Sequence, residues 1–96
     1  MDDDDIQPIA HFDSLPIPDE ELEPIVANAR LDWHDDGEQW FGSVPGFEGA
    51  WVTGDTPDQV RHELLSVLRD WISARVQFGQ RLPEMPTVHL DRYVAT

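Results

Sequence analysis

The side chains of this sequence that could do chemistry are the acids Asp35, Asp36 and Glu38, the histidines His11, His34, His62 and His89, and the hydroxyls of Ser43, Ser66 and Ser73. Paired carboxylates serve as general acid and base only where the surroundings push their pKa values apart. Asp35, Asp36 and Glu38 stand in a His-Asp-Asp-Gly-Glu turn with no apolar neighbour to raise either, so they read as solvated turn acids. The histidines show no i, i+4 pair, and there is no cysteine to complete a zinc set. Asp32 to Gly37 matches a calcium loop only in part: His34 takes the third ligand position, and Ser43 stands where the bidentate glutamate belongs. Gly42-Ser43-Val44-Pro45-Gly46 lacks the following helix of a nucleophile elbow, and Gly46-Phe47-Glu48-Gly49 places an acid where a phosphate would approach. The sequence therefore predicts no catalytic residue, no metal site and no cofactor. An enzymatic rival would be a hydrolase using His34 or His62 with nearby carboxylates.

Charge narrows the partners. The net charge is −14, from twenty Asp and Glu against six Arg and no Lys. Such a surface repels a phosphate backbone instead of releasing its counterions, which disfavours direct nucleic-acid binding and suits a basic protein. Residues 1–24 hold nine acids and no base, leaving eleven acids against six Arg in the remainder. No apolar run reaches the length of a membrane span, and the start Met1-Asp2-Asp3-Asp4-Asp5 is opposite in charge to a secretory signal. Together these predict a cytoplasmic chain with no membrane partner. Ninety-six residues make one small domain, and a core that size commonly gains stability against a second copy or a partner. A homo-oligomer is therefore expected.

The elements that must position these groups follow from pattern. Pro8, Pro16, Pro18 and Pro24 interrupt residues 1–24 and predict an extended acidic arm, whose Phe12 and Leu15 could dock as a linear motif. Ile25 to Trp33 alternates apolar and polar residues as a half-buried strand does. His34-Asp35-Asp36-Gly37 is a turn in which Gly37 can take positive φ, and Glu38 to Val44 returns as a second strand. Pro45-Gly46 makes a corner before a third strand at Glu48–Thr53. Thr56 then caps a helix that opens on Pro57 and aligns Val60, Leu64, Val67, Leu68, Trp71, Ile72 and Val76 in one stripe, stopping at Gly79. Thr87 to Val94 has the alternation of a last strand. The fold class expected is α+β: a two-layer β-β-β-α-β sandwich over residues 25–96, with one long helix on a small, mostly antiparallel sheet.

Tryptophan is favoured in cores and at interface centres alike. Trp71 and Trp51 are expected in the core. Trp40 and Phe41 are neighbours in one strand and so point to opposite faces, which leaves one of them to meet a partner. The candidate partner contacts are accordingly Phe12, Leu15, Asp35, Asp36, Trp40 and Phe41.

The run Glu38-Gln39-Trp40-Phe41-Gly42-Ser43-Val44-Pro45-Gly46-Phe47, followed by Gly54-Asp55-Thr56-Pro57-Asp58-Gln59-Val60 and by Gly79-Gln80-Arg81-Leu82-Pro83, resembles the HicB-like antitoxin family over residues 25–86. The resemblance implies a β-β-β-α-β fold similar to a degraded ribonuclease H core without catalytic acids, usually self-associating. It further implies neutralisation of a small basic HicA-type mRNA interferase by covering its active site. Two features depart from the family pattern. No helix-turn-helix or ribbon-helix-helix module follows before Thr96, so operator binding by this chain is not expected, and the acidic arm is unusual. A solitary oligomeric adaptor without a toxin is the other reading the resemblance allows.

Overall fold

Thr56 sets the start of the longest element. Its backbone is extended (φ −137°, ψ 155°), and its hydroxyl accepts a hydrogen bond from the Gln59 N–H at 3.1 Å, satisfying one free amide of the first turn. Pro57 fills the first helical position, and Asp58 places negative charge at the positive helix end. The computed structural model describes residues 14–94, and in it this helix, α2, spans Pro57–Gln77. It ends where Gly79 takes φ 65°, a left-handed conformation natural to glycine. The Gly79 and Gln80 amides then bond back to the Val76 and Arg75 carbonyls, a Schellman closure.

Three consecutive strands precede α2: β1 (Arg30–His34), β2 (Gln39–Ser43) and β3 (Trp51–Gly54), paired antiparallel in the order β1-β2-β3. The corner between β2 and β3 contains a turn closed by the Phe47 N–H on the Val44 carbonyl at 3.0 Å, with Gly46 at φ 90° as the third residue. One face of the sheet carries Leu31, Gly42 and Val52 in one cross-strand row, and α2 lies on it. Val60, Leu64, Leu68 and Ile72 are fully buried along α2, each worth about 1.5–3 kcal/mol of removal from water. The α+β class, the three-stranded antiparallel meander and the long helix that follows it are as the sequence predicts.

Three elements differ from expectation. Residues 19–26, placed by sequence in the extended arm and the first strand, form a helix, α1 (Asp19–Val26), which straddles the boundary set at residue 24. Its first turn is acidic (Asp19, Glu20, Glu21), as suits a helix N-terminus, and Leu22 and Val26 bury against the core beside Ile17. Pro24 sits inside the helix and withholds a single amide from it. That loss is outweighed by burial of Leu22 and Val26, and Arg69 of α2 secures the entry by bonding the Ile17 carbonyl and the Asp19 carboxylate. The first strand accordingly begins at Arg30, not Ile25.

The strand expected over Thr87–Val94 is absent: a turn and a short 3-10 helix at Leu90–Arg92 occupy the segment. Its backbone amides at Val88, Arg92, Tyr93 and Val94 close local turns, and Glu21 of α1 ties the segment down through one backbone and two side-chain bonds. The Thr87 hydroxyl donates to the Glu21 carbonyl at 2.9 Å, the His89 N–H to a Glu21 carboxylate oxygen at 3.0 Å, and the Tyr93 hydroxyl to the other oxygen at 2.5 Å. Val88 alone of this run is buried. In the hairpin turn, finally, Glu38 and not Gly37 takes positive φ, at 52°.

Candidate partner-binding site

Strand register decides what the sheet shows to solvent. Pairing sets Asp32 opposite Phe41 and Phe41 opposite Thr53, sets Arg30 opposite Ser43 and Ser43 opposite Trp51, and sets His34 opposite Gln39. Since side chains alternate along a strand, these residues share the face away from α2. No described helix packs on that face.

Three rings on it form a diagonal stack across all three strands. Phe41 lies 5.4 Å from Trp51, centroid to centroid, with 17° between planes, and 5.3 Å from His34 at 21°. Diagonal neighbours on a pleated face are within reach for rings of this size, and each aromatic contact contributes about 0.5–1.5 kcal/mol beyond area burial. Trp51 is nonetheless 54% exposed. This corrects the expectation of a core Trp51: its β3 position pairs with Ser43, on the outer face, while Val52 takes the inner one.

Trp40 points the other way, as alternation requires, and meets Trp33 edge-on at 5.7 Å. These two lie in the row with Gly54 on the helix side, and Trp33 keeps 47% exposure. The Trp33 indole N–H donates to the Asp35 carboxylate at 2.6 Å, which fixes one acid of the hairpin turn beside an exposed ring. Asp36 and Glu38 are exposed in the same turn. Asp35, Asp36 and Trp40 thus lie toward the hairpin end with Trp33, whereas Phe41 is on the outer face with Asp32, His34 and, at the far end beside Ser43, Trp51.

The remaining candidates lie elsewhere. Phe12 is outside the described residues. Leu15 packs against the chain's own core, with its N–H donating to the Ser73 hydroxyl at 2.7 Å. Trp71 is half-buried against Phe47, donates to the Glu48 carbonyl at 3.0 Å and carries the Arg75 guanidinium 4.4 Å above its ring.

Sequence reasoning could have found Trp51 on the outer face had its third strand been paired by register, because Val52 and Trp51 cannot both face the helix. Asp32 and His34 carry no signal of their own; only cross-strand pairing reveals them as neighbours of Phe41.

The depressions that the described residues form off this face include two. One, of about 390 Å³, is lined by residues that include Ile25, Val44, Phe47 and Pro86. The other, of about 500 Å³, sits between α1 and α2 with Glu23, Arg61 and His62 on its wall. Among the described residues no three His, Asp or Glu side chains come together as a metal-binding group, and no helix is long and apolar enough to cross a membrane.

No curated protein matches the chain. Among solved structures, it is similar to the crystal structure of TTHA0281 from Thermus thermophilus, with a TM-score of 0.61 and 27% identity over 73% of this chain and 88% of that one. The UPF0150-like family matches residues 23–83, which run from α1 through the sheet and α2 to Pro83. With the greater part of the chain matched, the protein belongs to the UPF0150-like family.

Proposed function

We propose that the protein is an antitoxin-type binding protein that neutralises a small basic HicA-type mRNA interferase by covering its active site. The observation that carries this reading is the uncovered sheet face, where Trp51, Phe41 and His34 stack in the open and Asp32, Asp35, Asp36 and Glu38 stand exposed around one end. Exposed rings held in a fixed array are suited to anchor a partner, and acids around them speed encounter with a positive one. The family membership and the net charge of −14 are consistent with it. In this reading the protein contributes occlusion and no bond-making chemistry of its own. Co-expression with a HicA-type protein from the same genome, followed by affinity purification at about 0.15 M salt, tests it. A complex surviving that salt is expected, and free migration of the two proteins refutes the reading.

A solitary oligomeric adaptor is the second reading. It is favoured by a separate exposed ring, Phe78, 57% accessible at the C-terminus of α2. A short basic reading frame beside the gene points to the first reading; self-assembly with no such neighbour points to the second.

A further inference from the structure

We propose that the outer face of the sheet recognises an extended arginine-bearing segment of a protein, with one guanidinium on the free side of Trp51 and a second cation at Asp32. Phe41 occupies one side of the Trp51 ring, at 17° and 5.4 Å, and Trp51 is still 54% exposed. A tryptophan face is the best aromatic acceptor for a guanidinium, which combines planar stacking with attraction to the ring quadrupole. Because Phe41 is itself stacked on His34, the Trp51 ring is held in place before binding, and little side-chain freedom remains to be lost.

Spacing supplies the second contact. Asp32 is opposite Phe41 on β1, and Trp51 is diagonal to Phe41 on β3, so the two flank it from either edge of the sheet. Two strand intervals across the sheet and two residues along it separate them, about 12 Å. A segment in the polyproline II conformation, with three residues per turn and about 3.1 Å rise, sets residues i and i+3 on one side about 9 Å apart, and long arginine side chains cover the rest, which gives a basic-x-x-basic pattern running across the strands. Beyond Asp32 the turn acids Asp35, Asp36 and Glu38 extend the negative field.

Charge selects this occupant over two others that stacked rings attract. Single-stranded nucleic acid would bring phosphates to a chain of net charge −14, and a second copy would set acids against acids. The inference rests on the premise of a basic partner stated above and adds how it is held.

The test is a titration of the full chain, labelled with ¹⁵N, by a synthetic peptide of four Arg-Ser-Thr repeats at about 0.15 M salt. Its four indole N–H signals report separately on Trp33, Trp40, Trp51 and Trp71. Shifts centred on Trp51 and on the amides of Phe41 and Asp32, with Trp71 unmoved, are expected. Trp51→Ala should weaken binding about threefold to tenfold, and a Lys-for-Arg peptide should bind more weakly than the Arg peptide. Asp32→Asn, at an exposed site that leaves the rings in place, provides a second variant and should weaken binding less than Trp51→Ala. Shifts spread evenly over all acidic surfaces, unchanged affinity in both variants, or concentration-dependent self-association through the same signals would overturn the inference. A ribonuclease captured equally by the native chain and by Trp51→Ala overturns it while leaving the antitoxin reading in place. A peptide seated on this face with no ribonuclease captured does the reverse.

Discussion

Gly42 and Val60 touch backbone to side chain: a Cβ added to Gly42 would overlap the Val60 Cγ1 methyl and come within 3.0 Å of Leu31. The central strand therefore needs a residue without a side chain where α2 crosses it. This is what lets the helix lie close to the sheet, while Phe41, the neighbour of Gly42 in β2, faces the opposite side.

Gly42→Ala should lower stability by about 1–3 kcal/mol, the cost of overpacking a filled core. Urea denaturation measures it. Adding Val60→Ala should recover part of the loss, since it removes the methyl that the new Cβ meets.

Ser73→Ala tests how the segment before α1 is held. Ser73 is buried on α2, accepts the Leu15 N–H at 2.7 Å and donates to the Arg69 carbonyl at 2.7 Å. Its loss leaves the Leu15 amide without that partner and should cost about 1–3 kcal/mol. Amide exchange at Leu15 should accelerate more than exchange within α2.

How far the sequence foretold this structure depended on how local the governing chemistry was. Thr56, Pro57 and Gly79 mark the ends of α2 through bonds made within a few residues, so their types suffice. The β1–β2 hairpin is similarly local. The helix α1 was not legible, because Pro24 argues against it locally while the burial of its Leu22 and Val26 and the bonds from Arg69 of α2, about fifty residues away, favour it. Thr87–Val94 misled in part for the same reason: β-branched alternation at Thr87 and Val88 suggests a strand, but most of its bonded amides close local turns and the remote Glu21 takes the Thr87 hydroxyl and the His89 N–H. Of the candidate site, the exposure of Asp35 and Asp36 and the opposed facing of Trp40 and Phe41 were legible from turn chemistry and strand alternation. Trp51, Asp32 and His34 required the register.

The Glu21 clasp makes the C-terminal segment sensitive to pH. Hydrogen bonds from the Tyr93 hydroxyl and then the His89 N–H hold the Glu21 carboxyl below its ordinary 4.5, while its bond to that carboxylate raises the Tyr93 hydroxyl above 10.0. For Glu21 the contribution to stability is full above about 4.5 and is lost as pH falls through the depressed folded value. For Tyr93 it is full below about 10 and is lost as pH rises through the raised one. Amide exchange over residues 87–94 should therefore be slowest at mid-range pH, and Tyr93→Phe should weaken the acid-side dependence.

Glu38 holds φ 52° at the hairpin turn, a conformation that costs an ordinary L-residue about 1–2 kcal/mol. Glu38→Gly should stabilise the domain by up to about 1 kcal/mol, because glycine adopts this angle freely but gives up more chain entropy on folding. If the turn acids steer a basic partner, the same variant should slow association while leaving dissociation nearly unchanged, as rapid-mixing kinetics would show.

The central claim is that this domain works by covering a basic ribonuclease with its open sheet face. RNA cleavage by a HicA-type enzyme from the same genome, titrated with the native chain and with the Phe41→Ala, Trp51→Ala double variant, tests it most directly. The account predicts that cleavage stops at stoichiometric native chain and persists with the double variant at the same concentration. Cleavage undiminished by excess native chain, or inhibited equally by the double variant, would contradict it.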